Sequence, residues 1–249
     1  MKFRARSVGK VEIDPAKHVF LDHVRLRRSD FSRRELDYFG AHGSRLEHCT
    51  FEHTRIEDGC FGAGRDTSDY IECNFDGARI WSGGGCARFV RCSFRDVELH
   101  EWFCFATEFI DCTFTGRIVR SVFNRTVLKE YRKTFKRLHN EFHGNDFSGA
   151  DLVDVGFRTG IDLSQQRLPT GPDYLYLPSA ETTLAEARAV AAGWQDAEMR
   201  RLALQQIDGL KNELEGGQVQ LLLRASDAYP IYSREVVDMV FDLLRDISA

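Results

Sequence analysis

The sequence predicts a mainly-β solenoid whose coils are four pentads long, followed by a group of α-helices. Three observations carry that expectation. A bulky residue recurs at every fifth position from Val19 onward, so that Leu21, Leu26, Phe31, Leu36, Ala41, Leu46, Phe51, Ile56 and Phe61 are pentad centres. Two four-residue segments, Gly64–Thr67 and Gly83–Cys86, interrupt the pattern, which resumes after each of them. The composition is skewed in the same direction, with 19 Phe against 5 Pro and 3 Met, most of the Phe lying before residue 125. Neither an amphipathic helix nor a half-buried strand produces a period of five over so long a stretch.

Both short segments read as shortened pentads at one place in the cycle, each cutting a unit of 20 residues to 19. Stacking the units then gives three columns of centres: Phe31, Phe51, Tyr70, Phe89 and Phe109; Leu36, Ile56, Phe75, Phe94 and Phe114; and Leu21, Ala41, Phe61, Ile80, Leu99 and Val119. Two positions before the centres the residues are mostly small: Ser29, Cys49, Ser68, Ala87 and Thr107 in one column, Thr54, Cys73, Cys92 and Cys112 in the next. A solenoid explains this, because each coil buries its inward side chains only against the coils above and below, so like stacks on like. The 7 cysteines all lie between Cys49 and Cys112, are odd in number and show no paired CxxC spacing, which makes them core fillers.

The register of a small residue, a polar residue, Leu or Phe and two variable residues is clearest in Asn145–Gly149, Ala150–Asp154 and Val155–Thr159. On these residues the chain resembles the pentapeptide-repeat family over roughly Val19 to Leu163, with departures at Arg34, Phe39 and Arg117. The resemblance implies a right-handed quadrilateral parallel β-helix. It does not imply one function, since a fold hosts many sites. The best understood branch of that family resembles duplex DNA in shape and charge and protects type II topoisomerases from quinolones.

Between Asn124 and His143 the fivefold pattern stops, and Val127, Leu128, Tyr131, Phe135, Leu138 and Phe142 recur at helical intervals. The other face of this expected helix carries Arg125, Lys129, Arg132, Lys133, Lys136 and Arg137, read as a solvated face. His139 and His143 lie one helical turn apart without a third ligand, so they are read as exposed histidines. The domain reading is a β-helix over 1–125, an inserted helix over 126–143, a final coil over 144–163, and a linker with helices over 164–249. The linker includes an extended Tyr174–Leu177. The helices are marked by Leu184, Val190 and Trp194, then by Met199 to Leu214 with a stop at Gly216 and Gly217, then by a Ser233 cap before Val236 to Leu244.

The formal charge of −4 is small, and residues 1–125 carry 20 Lys and Arg against 19 Asp and Glu. Global charge therefore does not point to nucleic acid or membrane. No apolar run approaches the roughly 18 residues that span a bilayer, and Met1 to Lys10 lacks the apolar middle of a signal peptide, so a cytoplasmic location is expected. No nucleophile elbow, zinc-protease or dinucleotide motif occurs, and Gly83, Gly84 and Gly85 read as a corner turn, not a phosphate loop. No cofactor and no metal site are expected.

The function expected is non-catalytic presentation of a surface to a protein partner. The alternatives are a DNA mimic binding gyrase and, less favoured, a β-helix carbohydrate-active enzyme. Candidate partner-binding residues are the acidic Asp37, Glu57 and Asp76, read as stacked in successive coils, with Asp58 and Asp96 beside them. Ile71, Val90 and Ile110 form an outward apolar ladder, expected to be covered by a helix or a second subunit. A homodimer through the C-terminal helices is a further expectation.

Overall fold

A computed structural model describes residues 10–14 and 17–248. The Met1–Gly9 stretch, read above for a signal peptide, lies outside them. The chain divides into two compact units, Met1–Val155 with Gln165–Leu168, and Gly156–Ser164 with Pro169–Ala249.

The first unit is a parallel β-solenoid of about five turns with four faces. The first face stacks His18–Asp22, Tyr38–His42, Gly59–Gly62, Gly83–Gly85 and Phe103–Cys104. The second stacks Arg25–Arg27, Arg45–Glu47, Ser68–Ile71, Ala87–Val90, Glu108–Ile110 and Phe142–His143. Single bridges through Asp30, Thr50, Asn74 and Ser93 make the third. Glu35–Leu36, Arg55–Ile56, Arg79–Trp81 and the long strands Ser93–His100 and Thr113–Asn124 make the fourth. At the N-terminal edge Lys10–Asp14 pairs antiparallel with His18–Asp22.

The interior is built of like on like. Phe31, Phe51, Phe75, Phe94, Phe114 and Phe147 form one continuous stack with ring centroids 4.6–4.8 Å apart and nearly parallel planes. That spacing is the inter-strand distance itself, so the backbone ladder dictates ring stacking. Leu26, Leu46, Tyr70, Phe89 and Phe109 form the neighbouring column. On the first face large and small residues exchange places within each strand: Phe39 with Ala41, Gly59 with Phe61, Trp102 with Cys104. The volume per turn is thereby conserved.

The expected columns need one correction. The pairing of Leu46 with Tyr70 and of Ile56 with Ile80 shows that Gly64–Thr67 is an insertion, making one turn of 24 residues, and not a shortened pentad. Every centre after it moves by one face. Phe75 therefore stacks on Phe51, not on Ile56, and Cys49, Cys73, Cys92 and Cys112 become one column instead of two. The Gly83–Cys86 segment does shorten its turn, but Gly83–Gly85 forms a strand and not a corner. A Cβ on Gly83 would lie 2.1 Å from the Trp102 indole, so glycine there makes room for the largest buried side chain. One turn later Ile118, not Val119, is the buried centre.

The insert after the fifth turn is less helical than its periodicity suggests. Helix α1 covers only Lys129–Phe135, and Lys136 in a left-handed conformation ends it. The remainder is a pinned loop: Val127 N–H donates to the Leu138 carbonyl, and the Asn140 amide donates to the Asn124 and Phe105 carbonyls. Arg137 reaches Glu108 at 3.0 Å and also donates to the Ala106 carbonyl. His139 and His143 consequently do not share a helix face.

In the second unit Tyr174–Leu177 is a strand, pairing antiparallel with Leu221–Arg224, where an extended surface segment was expected. Helices α2 (Ala180–Ala191), α3 (Ala197–Leu210), α4 (Ala225–Ala228) and α5 (Arg234–Ser248) pack with this two-stranded sheet around Leu177, Leu184, Ile207, Val236, Val240 and Leu244. Asp196 caps α3 by accepting from the Glu198 and Met199 N–H groups, and Ser233 accepts from Val236 N–H ahead of α5. The apolar faces of these helices are thus used within their own unit.

Candidate functional site

The register correction divides the acidic group. Asp37 and Glu57 do stand in successive turns, beside the paired Leu36 and Ile56, along a surface groove lined also by Lys17, Glu35 and Arg55. The next turn puts Trp81 at that position, followed by His100, whose ring stacks on Trp81 at 5.4 Å. Asp76 lies on the preceding face, half-buried, accepting from Ser93 Oγ at 2.5 Å and from Arg95 N–H at 2.8 Å. Asp58 and Asp96 are exposed, Asp58 directly following Glu57 and Asp96 following Arg95 in a left-handed conformation. The structure brings two of the five together in a column, and cations accompany both rows: Arg55 pairs with Glu57, and Lys17 with Glu35 at 3.2 Å.

The apolar ladder is in the register expected, with Val90 paired to Ile71 on one side and Ile110 on the other. Ile110 is 6% exposed at the end where Arg137 of the insert meets Glu108 of the same strand, whereas Ile71 and Val90 are half-buried. Charged rows flank the ladder. Arg45 pairs with Asp69, Arg88 with Glu108 and Glu141, and Arg91 with Glu72.

More exposed apolar side chains lie elsewhere. Phe103 and Phe105 flank the inward Cys104 and point out, 48% and 37% exposed, with their rings stacked at 6.3 Å. The bonds from Asn140 to Phe105 and from Arg137 to Ala106 hold the insert beside them, and Leu128, Tyr131 and Leu138 of that insert are also exposed. The sequence carried the signal, since the pentad Trp102–Ala106 has Cys104 as its centre and so throws both phenylalanines outward.

A mixed cluster near the N-terminal end was not read from the sequence. Asp22 and His42 are register partners on the first face, and His23 follows Asp22. The Asp22 Oδ1 lies 2.7 Å from His23 Nδ1 and 3.1 Å from His42 Nδ1. On the far side Asp66 Oδ2 lies 3.1 Å from His23 Nε2 and 3.8 Å from His42 Nε2. Asp66, with Asp22 on the other nitrogen, raises the His23 pKa above the ordinary imidazole value. The Asp22–His42 pairing was legible in the repeat; Asp66 was not, because it sits in the insertion that broke the register.

The cysteine column is buried throughout, and its thiols are free. Cys73, Cys92 and Cys112 thiols each donate to a carbonyl of the preceding turn, at Leu46, Tyr70 and Phe89. Burial pushes the Cys92 thiol well above its usual range and that of Cys104 up to about 12.

Fold and surface together define a β-solenoid that carries an aromatic outer wall and mixed charged rows. In comparison with known proteins, no protein-family model matches the chain and no curated protein is recognisably similar to it. No helix among the described residues is long and apolar enough to cross a membrane.

Proposed function

We propose that the chain is a non-catalytic interaction protein that presents the wall around Phe103 and Phe105 to a protein partner. The observation that carries this is the exposed pair of stacked aromatic rings, with Leu128, Tyr131 and Leu138 held alongside on the pinned insert. Large exposed aromatics grouped on a rigid wall are what a protein interface uses as anchors, because they offer much apolar area at little conformational cost. The resemblance to pentapeptide-repeat proteins is in keeping with such a scaffold role. The mixed charge of the outer rows supports this reading over mimicry of DNA, which requires a continuous acidic line.

The test is affinity capture from cells of the source organism with quantitative mass spectrometry, comparing the natural protein with a Phe103→Ser/Phe105→Ser variant. A protein retained by the former and lost with the latter, at unchanged melting temperature, supports the proposal. An identical captured set removes this surface from consideration, and a gyrase subunit captured by both would favour the DNA-mimic alternative.

A further inference from the structure

We infer that Asp22, His23 and His42 form a binding site for a divalent transition-metal cation of the zinc class, with Asp66 orienting the imidazoles from behind. One ligand atom from each of the three lies within 4.8 Å of the others. The Oδ1 of Asp22 faces both Nδ1 atoms, at 2.7 and 3.1 Å. Ligand atoms around a tetrahedral ion with bonds of about 2.0–2.1 Å stand roughly 3.3 Å apart, close to both Asp22–imidazole separations, so adjustment of these surface side chains can set the three atoms on corners of a coordination shell. The ion takes the place of the protons now shared between Asp22 and the rings, and those protons leave to solvent.

Asp66 supplies the arrangement that metal-binding histidines require. By accepting from His23 Nε2–H at 3.1 Å it holds the proton on that nitrogen, so that once the shared proton has left, the Nδ1 lone pair of His23 faces Asp22; His42 Nε2 lies 3.8 Å from the same carboxylate. Two imidazoles and a carboxylate, with no sulfur, select a borderline cation such as Zn²⁺ over the oxygen-seeking Mg²⁺ and Ca²⁺. Three protein ligands leave a fourth position open to water.

The backbone is shaped around the group. His23 (φ 50°), Gly43 (φ 52°) and Gly64 (φ 74°) are all left-handed. A Cβ on Gly43 would approach the His23 ring to 2.8 Å, and one on Gly64 would approach His42 Nε2 to 2.8 Å, so both glycines leave space for an imidazole. The insertion that lengthens the third turn delivers Asp66, with Gly43 N–H donating to its carbonyl at 3.3 Å. The four residues come from three successive passes of the chain, and a bound ion would tie these passes together.

Zn²⁺ alone is the probe, titrated into the full-length chain by calorimetry and followed by thermal melting. Saturable one-to-one binding with a raised melting temperature is expected. His23→Ala and His42→Ala should each weaken it by more than about 100-fold, and Asp66→Asn by about 10–100-fold, the usual effect of losing an orienting carboxylate. A measurement on the unaltered chain guards against a variant that fails to fold: in nitrogen-15 imidazole spectra, Zn²⁺ should shift the Nδ1 signals of two of the 8 histidines only. Absence of saturable binding up to 1 mM Zn²⁺, equal binding by the folded His23→Ala/His42→Ala double variant, or shifts at other histidines would each overturn the assignment.

Discussion

Phe94 and Arg95 are adjacent in sequence and opposite in environment. Phe94 is wholly buried between Phe75 and Phe114, while Arg95 is exposed and only 3.9 Å from Asp76 as an ion pair. Phe94→Asp should prevent folding or cost more than about 4 kcal/mol, because it buries an unpaired charge in an aromatic stack. Arg95→Asp should cost under about 1 kcal/mol, as surface pairs contribute little. Melting temperatures measured side by side check this, and equal values would refute the inward assignment. Gly83 is the other sensitive residue: Gly83→Ala places a methyl group 2.1 Å from Trp102 and should cost about 1–3 kcal/mol, recovered in part by Trp102→Phe. With the Cys92 and Cys104 thiols held in their neutral form by burial, these two should resist alkylation by iodoacetamide at neutral pH in the native chain, and mass spectrometry before and after unfolding measures it.

Among the elements, the insert shows how little its own periodicity decides. Only seven residues of it form α1, and its position is held by Arg137 against the buried Glu108. Burial raises the Glu108 carboxyl above its ordinary range, with Arg137 acting against that rise. Arg137→Ala leaves the anion without its nearest cation and should cost on the order of 3 kcal/mol near neutral pH. A raised pKa means stability that is present at low pH and lost as pH rises through the folded-state value. The deficit of the variant should therefore shrink on acidification, and Glu108→Gln in the same background should restore most of it. Denaturant melts at several pH values test both points; a deficit independent of pH would show that Arg137 acts by packing alone.

For the whole solenoid, charge is the deciding property. A topoisomerase cleft is tuned to a dense line of phosphates, and affinity follows the number of those charges reproduced along the axis. Here the acidic column holds Asp37 and Glu57 and then meets Trp81, over which the Arg55 guanidinium sits at 5.1 Å. Arg45, Arg88 and Arg91 bring the opposite sign to the second face. Purified protein should therefore leave ciprofloxacin inhibition of gyrase supercoiling unchanged. Reversal of inhibition that disappears in an Asp37→Lys/Glu57→Lys variant would promote the DNA-mimic reading.

The period of five was enough to predict a β-solenoid, its inward centres up to Phe114, the inward Cys49, Cys73, Cys92 and Cys112, and the outward Ile71, Val90 and Ile110, because each of these depends on which way a residue faces within its own pentad. What the repeat could not decide was the stacking of one turn on another across Gly64–Thr67. A four-residue segment can shorten a face or bulge out between faces, and the choice is made by contacts more than twenty residues away: Tyr70 against Leu46 and Phe75 against Phe51. That choice separated Asp76 from Asp37 and Glu57, joined the cysteines in one column, and carried Asp66 to His23 and His42. The insert was likewise decided by tertiary bonds, since Asn140 and Arg137 satisfy carbonyls of the solenoid that a continuous helix could not reach. Direction within a repeat is local and legible in sequence, as for Phe103 and Phe105; register between repeats is a property of packing, and the cluster of Asp22, His23, His42 and Asp66 depends on it.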